Sequence, residues 1–524
     1  MEYIKGVDRQ QMTLLPECLD DYIEAENPVR VIEAYVESLD LNELGFTRVE
    51  PNETGRPMYS SRDLLKLYLY GYSIRIRSTR RLEAEARRNI ELMWLMRRLC
   101  PDHHTIARFR KENAKALKRL FQNFTLLCTE LGLMGRELVA IDGSKFRAVN
   151  SKDANFNEEK LNERIRRIEE HIEEYMRVLE ETEEEEGAPR KSAEEISKII
   201  EELERRKTLY QGYQDKMEET GESQISTTDP EARRMIDKGG SIVGYNVQIA
   251  VDAKHKIIAH YEVIQARNDL TSLSNMAIST AKSLGVEELT ALADKGYASA
   301  TTIAECIMNG ITAHVAGTDY DICIPVKEGV EGEASPIASH REGRCVYIRE
   351  RNIALCPMGK VLYPHNYKKK KRSAVYKNPQ ACAMCLCKCT TESSKRFEIE
   401  MRQSEFTREY DIEGLEVMQV RVRGEKQLIR QRKEIVEHPY GTVKRAMGAD
   451  YVLTKGLKSV AGEFALVFLA YSIKRAINIL GVKGMIEGIA AYALKKIHRL
   501  STDLGVYWGK EYKSTRLSVS PGFI

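Results

Sequence analysis

What this chain lacks narrows its function first. Its 524 residues contain no apolar run of the ~20 residues that a bilayer crossing needs. The longest, Phe464 to Ile473, is closed off by Glu463 and Lys474. Met1-Glu2-Tyr3-Ile4-Lys5 has no apolar core of a secretory signal. Neither sign of charge dominates, with 81 Lys and Arg against 78 Asp and Glu for a net of +3. The 11 cysteines do not form the dense framework of a small secreted domain, because Cys18, Cys100, Cys128, Cys306 and Cys323 stand alone. These absences exclude secreted, membrane-spanning and wholly disordered proteins, and predict a cytoplasmic location with reduced thiols. At 42% hydrophobic and 30% charged, the chain can build real cores. At about 150 residues per domain, the length suggests three or four domains.

The near-zero net charge hides segregation. Arg56 to Arg110 carries 13 basic against 5 acidic residues, Glu158 to Glu186 carries 5 against 13, and Arg421 to Arg445 carries 8 against 3. Lys368 to Arg372 is an unbroken basic run. Such blocks suit a protein with some surfaces facing a polyanion and one kept away from it. Each block also reads as an ordinary solvated helix face.

The first quarter reads as helices. Ser60-Ser61-Arg62-Asp63 suits a helix start, followed by Leu64, Leu65, Leu67, Tyr68 and Tyr72 near helical spacing. Arg80 to Leu99 predicts a second helix, and a third starts at Thr105 and runs towards Cys128. Arg75, Arg77, Arg80, Arg81, Arg87 and Arg88 are expected on exposed faces, as in a helical DNA-binding module. From Leu138 the texture becomes strand. The run Leu138-Val139-Ala140-Ile141 ends in Asp142-Gly143. A β region spans Val243 to Ile264, and alternating helix and strand follow, including a strand that ends at Ala293-Asp294-Lys295-Gly296-Tyr297.

Two insertions interrupt this α/β order. In Glu158 to Met217, Leu161, Ile165, Ile168, Ile172, Tyr175 and Leu179 step at heptad spacing. Ile196, Ile199, Leu203, Arg206, Tyr210, Tyr213 and Met217 do the same, with Arg206 the misfit. The pattern predicts an antiparallel helical hairpin turning near Glu183 to Pro189. The second insertion, about Asp319 to Leu415, holds Cys356, Cys382, Cys385 and Cys389 at a spacing that suits a structural zinc ribbon. Cys387 competes for the last place and Cys345 for a site. Reduced cysteines without metal are the alternative.

Three carboxylates from distant segments carry the chemistry. Asp142 and Asp294 sit at the ends of apolar strands, where uncompensated charge is expensive and a divalent cation would compensate it. Glu437 lies seven residues before Lys444, and the pair is expected on one helical face, with a kink just after Glu437 and Pro439 in a first turn. Three such acids can hold two Mg²⁺ ions roughly 4 Å apart for in-line displacement at a phosphodiester. Each acid also has a purely structural reading: a helix cap for Asp142, a turn for Asp294, a surface residue for Glu437.

In order along the chain, Tyr3 to Glu17, Asn27-Pro28-Val29-Arg30, Gly55-Arg56-Pro57, Asp63 to Tyr68 and Thr105 to Arg110 resemble the N-terminal domain of bacterial insertion-sequence transposases of the DDE class. Ala140-Ile141-Asp142-Gly143-Ser144-Lys145, Gly244-Tyr245-Asn246-Val247-Gln248 and Ala293-Asp294-Lys295-Gly296-Tyr297 resemble their catalytic strands, and Glu437-His438-Pro439-Tyr440-Gly441-Thr442-Val443-Lys444 their glutamate helix. The resemblance implies an RNase H-like core with Asp142, Asp294 and Glu437 as catalytic ligands of Mg²⁺ or Mn²⁺. It also implies excision and reinsertion of a mobile element at its terminal inverted repeats. Some relatives carry a Y-R-E-K signature, whose glutamate and lysine fall on Glu437 and Lys444, while Arg430 and Lys433 stand where tyrosine and arginine would be.

The expected organisation is therefore an α/β protein built on an RNase H-like mixed sheet. A helical DNA-binding domain covers 1–130, the catalytic core 131–157 and 218–318, and the hairpin 158–217. The Cys-rich insertion covers 319–415, the core's C-terminal helices 416–482 and a tail 483–524. Lys145, Lys295, Arg432, Lys433, Lys444, Arg75, Arg77, Arg80 and Arg81 are the expected DNA contacts. The expected partners are double-stranded DNA, at terminal repeats and target, and a second copy of the chain, paired through the hairpin or the C-terminal helices. No membrane is expected, and the place of action is the nucleoid of a bacterial cytoplasm. The competing expectation is a DNA-binding regulator of transposition that has lost catalysis.

Overall fold

The computed structural model describes residues 18–50, 58–184, 193–237, 240–315, 345–348, 353–358, 360–368, 373–385, 389–400 and 426–503. The motifs at Tyr3 to Glu17 and Gly55 to Pro57, the hairpin tip beyond Glu184, positions 369–372 of the basic run, Cys323, Cys387 and positions 504–524 lie outside them.

Among the described residues up to 130, after a 3-10 turn at Leu19–Tyr22, come six α-helices: α1 (Val29–Glu37), α2 (Ser61–Ser73), α3 (Thr79–Ala86), α4 (Ile90–Leu95), α5 (His103–Glu112) and α6 (Ala114–Glu130). The Ser60 hydroxyl caps α2 by accepting the Arg62 N–H at 3.1 Å. Two expected long helices are each split by an asparagine. Asn89 stops α3 from continuing to Leu99, and its side chain accepts the Leu92 N–H at 3.2 Å to start α4. Asn113 separates α5 from α6, accepting the Thr47 N–H at 2.8 Å and donating to the Phe109 carbonyl at 2.9 Å. An amide side chain that bonds backbone in this way competes with the helix ladder, so apolar spacing alone overran both breaks.

The central sheet contains β1 (Leu138–Arg147), β4 (Arg233–Asp237), β5 (Gly240–Asp252), β6 (Ile258–Ile264), β7 (Leu289–Ala293) and β8 (Ile311–Val315); a short β2 (Asn155–Phe156) and β3 (Ile225–Ser226) pair apart from it. β5 runs antiparallel to β1 and β6 antiparallel to β5, whereas β7 is parallel to β1 and β8 to β7. Apart from β4, which extends the outer edge of β5, the order β6-β5-β1-β7-β8 with only β5 reversed is the RNase H-like arrangement. Val139, Ala140 and Ile141 are fully buried, as a strand covered on both faces requires. Helices α9 (Leu273–Leu284) and α10 (Ala300–Met308) make the crossovers to β7 and β8.

The first insertion forms two long arms, α7 (Glu158–Glu184) and α8 (Ala193–Thr220). Leu161, Ile168, Ile196, Leu203 and Met217 are buried along the seam, while Arg206 is exposed. Lys207 to Glu169 at 2.7 Å and Gln214 to Asn162 at 2.5 Å tie the arms across their polar edges. The second insertion carries a separate antiparallel sheet, β9 (Val346–Ile348) through β10 (Ile353–Leu355), β11 (Val361–Lys368), β12 (Ser373–Lys377) and β13 (Arg396–Glu400), with the short α11 (Pro379–Ala383).

The chain returns to the core as α12 (Lys426–Gly441) and α13 (Leu457–Asp503), the latter broken at Gly481, whose φ of 71° is outside helical geometry. Within α13, Leu457–Lys496 is long and apolar enough to cross a bilayer, yet 61% of its most apolar stretch is buried in the protein. Phe464 to Ile473 pack into the core shared by the first helices and the sheet. It is therefore a core helix rather than a membrane anchor. Arg77 fastens the same junction: it is 7% exposed, pairs with Glu463 at 3.3 Å, and donates to the carbonyls of Tyr451 (2.7 Å) and Gly448 (2.8 Å). The expectation of an exposed, DNA-facing Arg77 is thus corrected, because its donors are used inside the fold. Arg75, Arg80 and Arg81 are exposed.

Candidate active site

Strand register places the first two acids. Ala140 pairs with Leu292 in the parallel β1–β7 ladder, so Asp142 and Asp294 each lie two residues past the last pair. Because side chains alternate across a strand, this equal offset puts both carboxylates on one face at adjoining strand ends. One nitrogen, Arg432 Nη2 from α12, then lies 3.0 Å from Asp142 Oδ1 and 3.3 Å from Asp294 Oδ2. Asp294 Oδ1 also accepts the Gly296 N–H at 2.8 Å. Burial, reinforced by the neighbouring Asp294 and Asp269 against the pull of Arg432, raises the Asp142 carboxyl to about 6.

A third carboxylate at these strand ends is Asp269, in the loop after β6, which sequence reasoning missed. Its Oδ1 accepts from the amides of Asn246 and Gln248, both at 2.7 Å, and its Oδ2 pairs with Lys145 at 3.4 Å. The Gln248 amide also donates to Asn246 at 3.0 Å, and its carbonyl accepts from the buried Tyr297 hydroxyl. Asn246 and Gln248 are fully buried in β5, and two buried amides in a strand require partners. That was the available signal, although it names no partner 20 residues away.

Helix α12 sits across these ends. Arg432, Val436 and Tyr440 face inward, with Tyr440 Oη donating to the carbonyls of Asp142 (3.0 Å) and Val247 (2.6 Å). The helix continues through Pro439 to Gly441 and then widens into a π turn, Thr442–Ala446. The expected kink after Glu437, with Pro439 in a first turn, is therefore corrected: the proline lies near the helix's end. The π turn's i→i+5 bonding changes the helical phase between Glu437 and Lys444. Lys444 Nζ reaches Ser144 Oγ at 2.6 Å and the Lys145 carbonyl at 3.0 Å, and lies 4.4 Å from the centre of the Phe146 ring. Glu437 is exposed, and among the described residues its carboxylate has no hydrogen bond or ion pair.

The structure thus brings together Asp142, Asp294 and Arg432, sets Lys145 and Lys444 around them, and leaves Glu437, Lys433 and Lys295 exposed. Arg432, expected against DNA, is 8% exposed and bound to the two aspartates. Among the described residues no three His, Cys, Asp or Glu side chains are placed to hold a metal ion. The aspartate pair nevertheless fits one: two carboxylates already share a single cationic group, which is the donor chemistry a hard cation requires. Farther away, Cys356, Cys382, Cys385 and Cys389 line one hollow of about 10 Å³. The N–H groups of Lys360 and Lys395 donate to the sulfurs of Cys356 and Cys382, each at 3.3 Å.

Residues 17–112 match the family described as Transposase domain (DUF772), and residues 355–477 match the one described as Transposase DDE domain. Asp142 and Asp294 lie outside both segments, whereas Glu437 lies in the second. No curated protein matches the chain. A solved structure, the piggyBac transposase synaptic complex with hairpin DNA, is 9% identical over 95% of this chain and 89% of that one, at a TM-score of 0.29.

Proposed function

Starting from a chain that is a DDE-type transposase, we propose that it cuts and rejoins the ends of an insertion sequence by phosphodiester hydrolysis and strand transfer. The observation that carries this is the equal register offset of Asp142 and Asp294, which sets two carboxylates side by side at the mouth of the sheet. Asp142, Asp294 and Glu437 are the proposed ligands of Mg²⁺ or Mn²⁺, which when bound supplies an activated oxygen nucleophile and charge stabilisation at phosphorus. Asp269 is assigned a positioning role, because its carboxylate accepts from Asn246 and Gln248 and pairs with Lys145. It holds that frame, and with it the Lys145 ammonium, beside the aspartates. Lys444 lies along the same rim, where a phosphate near the scissile bond would meet it.

Lys295, Lys433, Arg75, Arg80 and Arg81 are exposed and are the proposed contacts to the DNA backbone. Double-stranded DNA at the element ends and at the target is the substrate. Two copies of the chain act together, because two ends must be joined, and the action takes place on the bacterial nucleoid in the cytoplasm. Cys356, Cys382, Cys385 and Cys389 are the proposed ligands of a structural Zn²⁺. All four residues line one hollow, and backbone N–H groups donate to the sulfurs of Cys356 and Cys382.

The test is strand cleavage on a plasmid carrying the DNA that flanks this gene, with and without Mg²⁺. Metal-dependent nicking by the native protein, abolished in Asp142→Asn, supports the enzyme. Binding with no nicking supports the regulator, a reading favoured by one observation: Glu437 stays in solvent, away from the aspartates.

A further inference from the structure

We propose that Arg432 is an internal placeholder, which competes with the metal ion for Asp142 and Asp294 and must withdraw before the site can load. The inference rests on the metal-binding reading of these aspartates. It begins from one nitrogen shared by both acids, at 3.0 Å and 3.3 Å. A divalent ion drawn to the same two oxygens would meet a guanidinium already there, and two cations cannot share one bridging position between the acids.

Arg432 reaches the two aspartates through a single nitrogen. Its ion pairs are made at the fork's tip, whereas its buried Nε has no hydrogen-bond partner among the described residues. Arg77, by contrast, spreads both Nη1 and Nη2 over Glu463 and two backbone carbonyls. Withdrawal of Arg432 breaks its contacts to both aspartates.

The same helix carries the missing acid. At 3.6 residues per turn, Arg432 and Glu437, five residues apart, point about 140° away from each other. With Arg432 on the aspartates, Glu437 is in solvent. A change in the seating of α12 that removes the guanidinium also changes where Glu437 points. The resting arrangement thus neutralises the acids while keeping the third ligand out, and the released guanidinium becomes available to a DNA phosphate. Loading of metal is thereby tied to arrival of DNA, so the protein does not nick DNA at random.

The experiment measures Mn²⁺ binding to the DNA-free full chain by the electron paramagnetic resonance of free Mn²⁺, for native protein, Arg432→Gln, Arg432→Lys and Asp142→Asn, each checked for its fold by circular dichroism. The expected result is Arg432→Gln binding Mn²⁺ about tenfold more tightly than native, with Arg432→Lys between them and Asp142→Asn losing the site. A folded Arg432→Gln with affinity equal to or below native overturns the placeholder while native binding leaves the metal reading standing. No Mn²⁺ bound by any folded variant, Arg432→Gln included, overturns both. If Arg432→Gln does not fold, the lysine variant decides alone: affinity no higher than native overturns the proposal.

Discussion

Gly143 stands opposite Gln248 in the β1–β5 register, and a β-carbon at Gly143 would lie 2.2 Å from the Gln248 amide nitrogen and 2.8 Å from Asp269 Oδ1. The glycine beside the first aspartate is thus the space into which the Asn246–Gln248–Asp269 frame fits. In Gly143→Ala the Gln248 side chain must turn aside, which leaves Asp269 with the Asn246 amide alone and loosens its hold on Lys145. Since the obstacle is the end of a side chain, the fold survives and the site suffers. The expected outcome is a cleavage rate lower by about 10²-fold, the scale of a misplaced site group, with destabilisation of only about 1–3 kcal/mol. Plasmid nicking and urea denaturation measure the two separately, and a large loss of stability with normal cleavage would contradict the assignment.

The Asp142 carboxyl, raised to about 6 chiefly by burial, makes stability depend on pH in metal-free buffer. In the unfolded chain it ionises near 4, so between about pH 4 and 6 the folded state binds more protons than the unfolded one. Its contribution to stability is therefore present below pH 4 and declines as pH rises through 6. Asp142→Asn removes that decline. Relative to native, the variant should gain about 2–3 kcal/mol on going from pH 4 to pH 7. Urea titrations at several pH values, with a chelator present, would show the two stabilities diverging across that window. Parallel curves would place the titration elsewhere.

The strand-borne acids were legible because an apolar run that ends in aspartate and glycine is a local pattern, and the order of helices and strands fixed the sheet around it. The hairpin was legible for the same reason, with Arg206 exposed at the position where it broke the seam. Asp269 was not legible: Gln265-Ala266-Arg267-Asn268-Asp269 is an ordinary polar loop, and only the folded sheet brings it under Asn246 and Gln248. The rotation of α12 was hidden as well. Ile435, Val436, Pro439 and Tyr440 are all buried, so the apolar pattern admits more than one inward face. Which of Arg432 and Glu437 meets the aspartates is decided by packing on β1, β5 and β7 rather than by local sequence.

The cysteine hollow makes a separate prediction. Zinc at Cys356, Cys382, Cys385 and Cys389 would brace a sheet whose buried apolar side chains among the described residues include Ala354, Leu362, Ala374, Val375, Tyr376 and Phe397. Purified full-length protein should contain one equivalent of zinc by elemental analysis, and Cys382→Ser should lower that content several-fold. The variant's 345–400 region should also become sensitive to protease while α1 to α6 stay resistant. Protein without zinc, and equally resistant in both forms, would support the reduced-thiol alternative.

The arginines after α2 should separate cleanly by variant. Arg77 and Glu463 are a buried pair, 7% and 1% exposed, that joins the segment between α2 and α3 to α13. Removing one partner strands the other charge in the interior, so Arg77→Ala should cost about 3–5 kcal/mol. The Glu463 carboxylate would keep its backbone donors at Leu453 and Thr454 but lose its ion pair with Arg77. Exposed Arg80 and Arg81 carry no such load, and alanine at either should change stability by no more than about 0.5 kcal/mol. Their effect belongs in DNA binding, where each lost phosphate contact should reduce the slope of log affinity against log salt by about 1. Denaturation and salt-dependent binding on the same three variants test the assignment. It fails if Arg77→Ala is stable and loses DNA affinity, or if Arg80→Ala and Arg81→Ala together leave the salt slope unchanged.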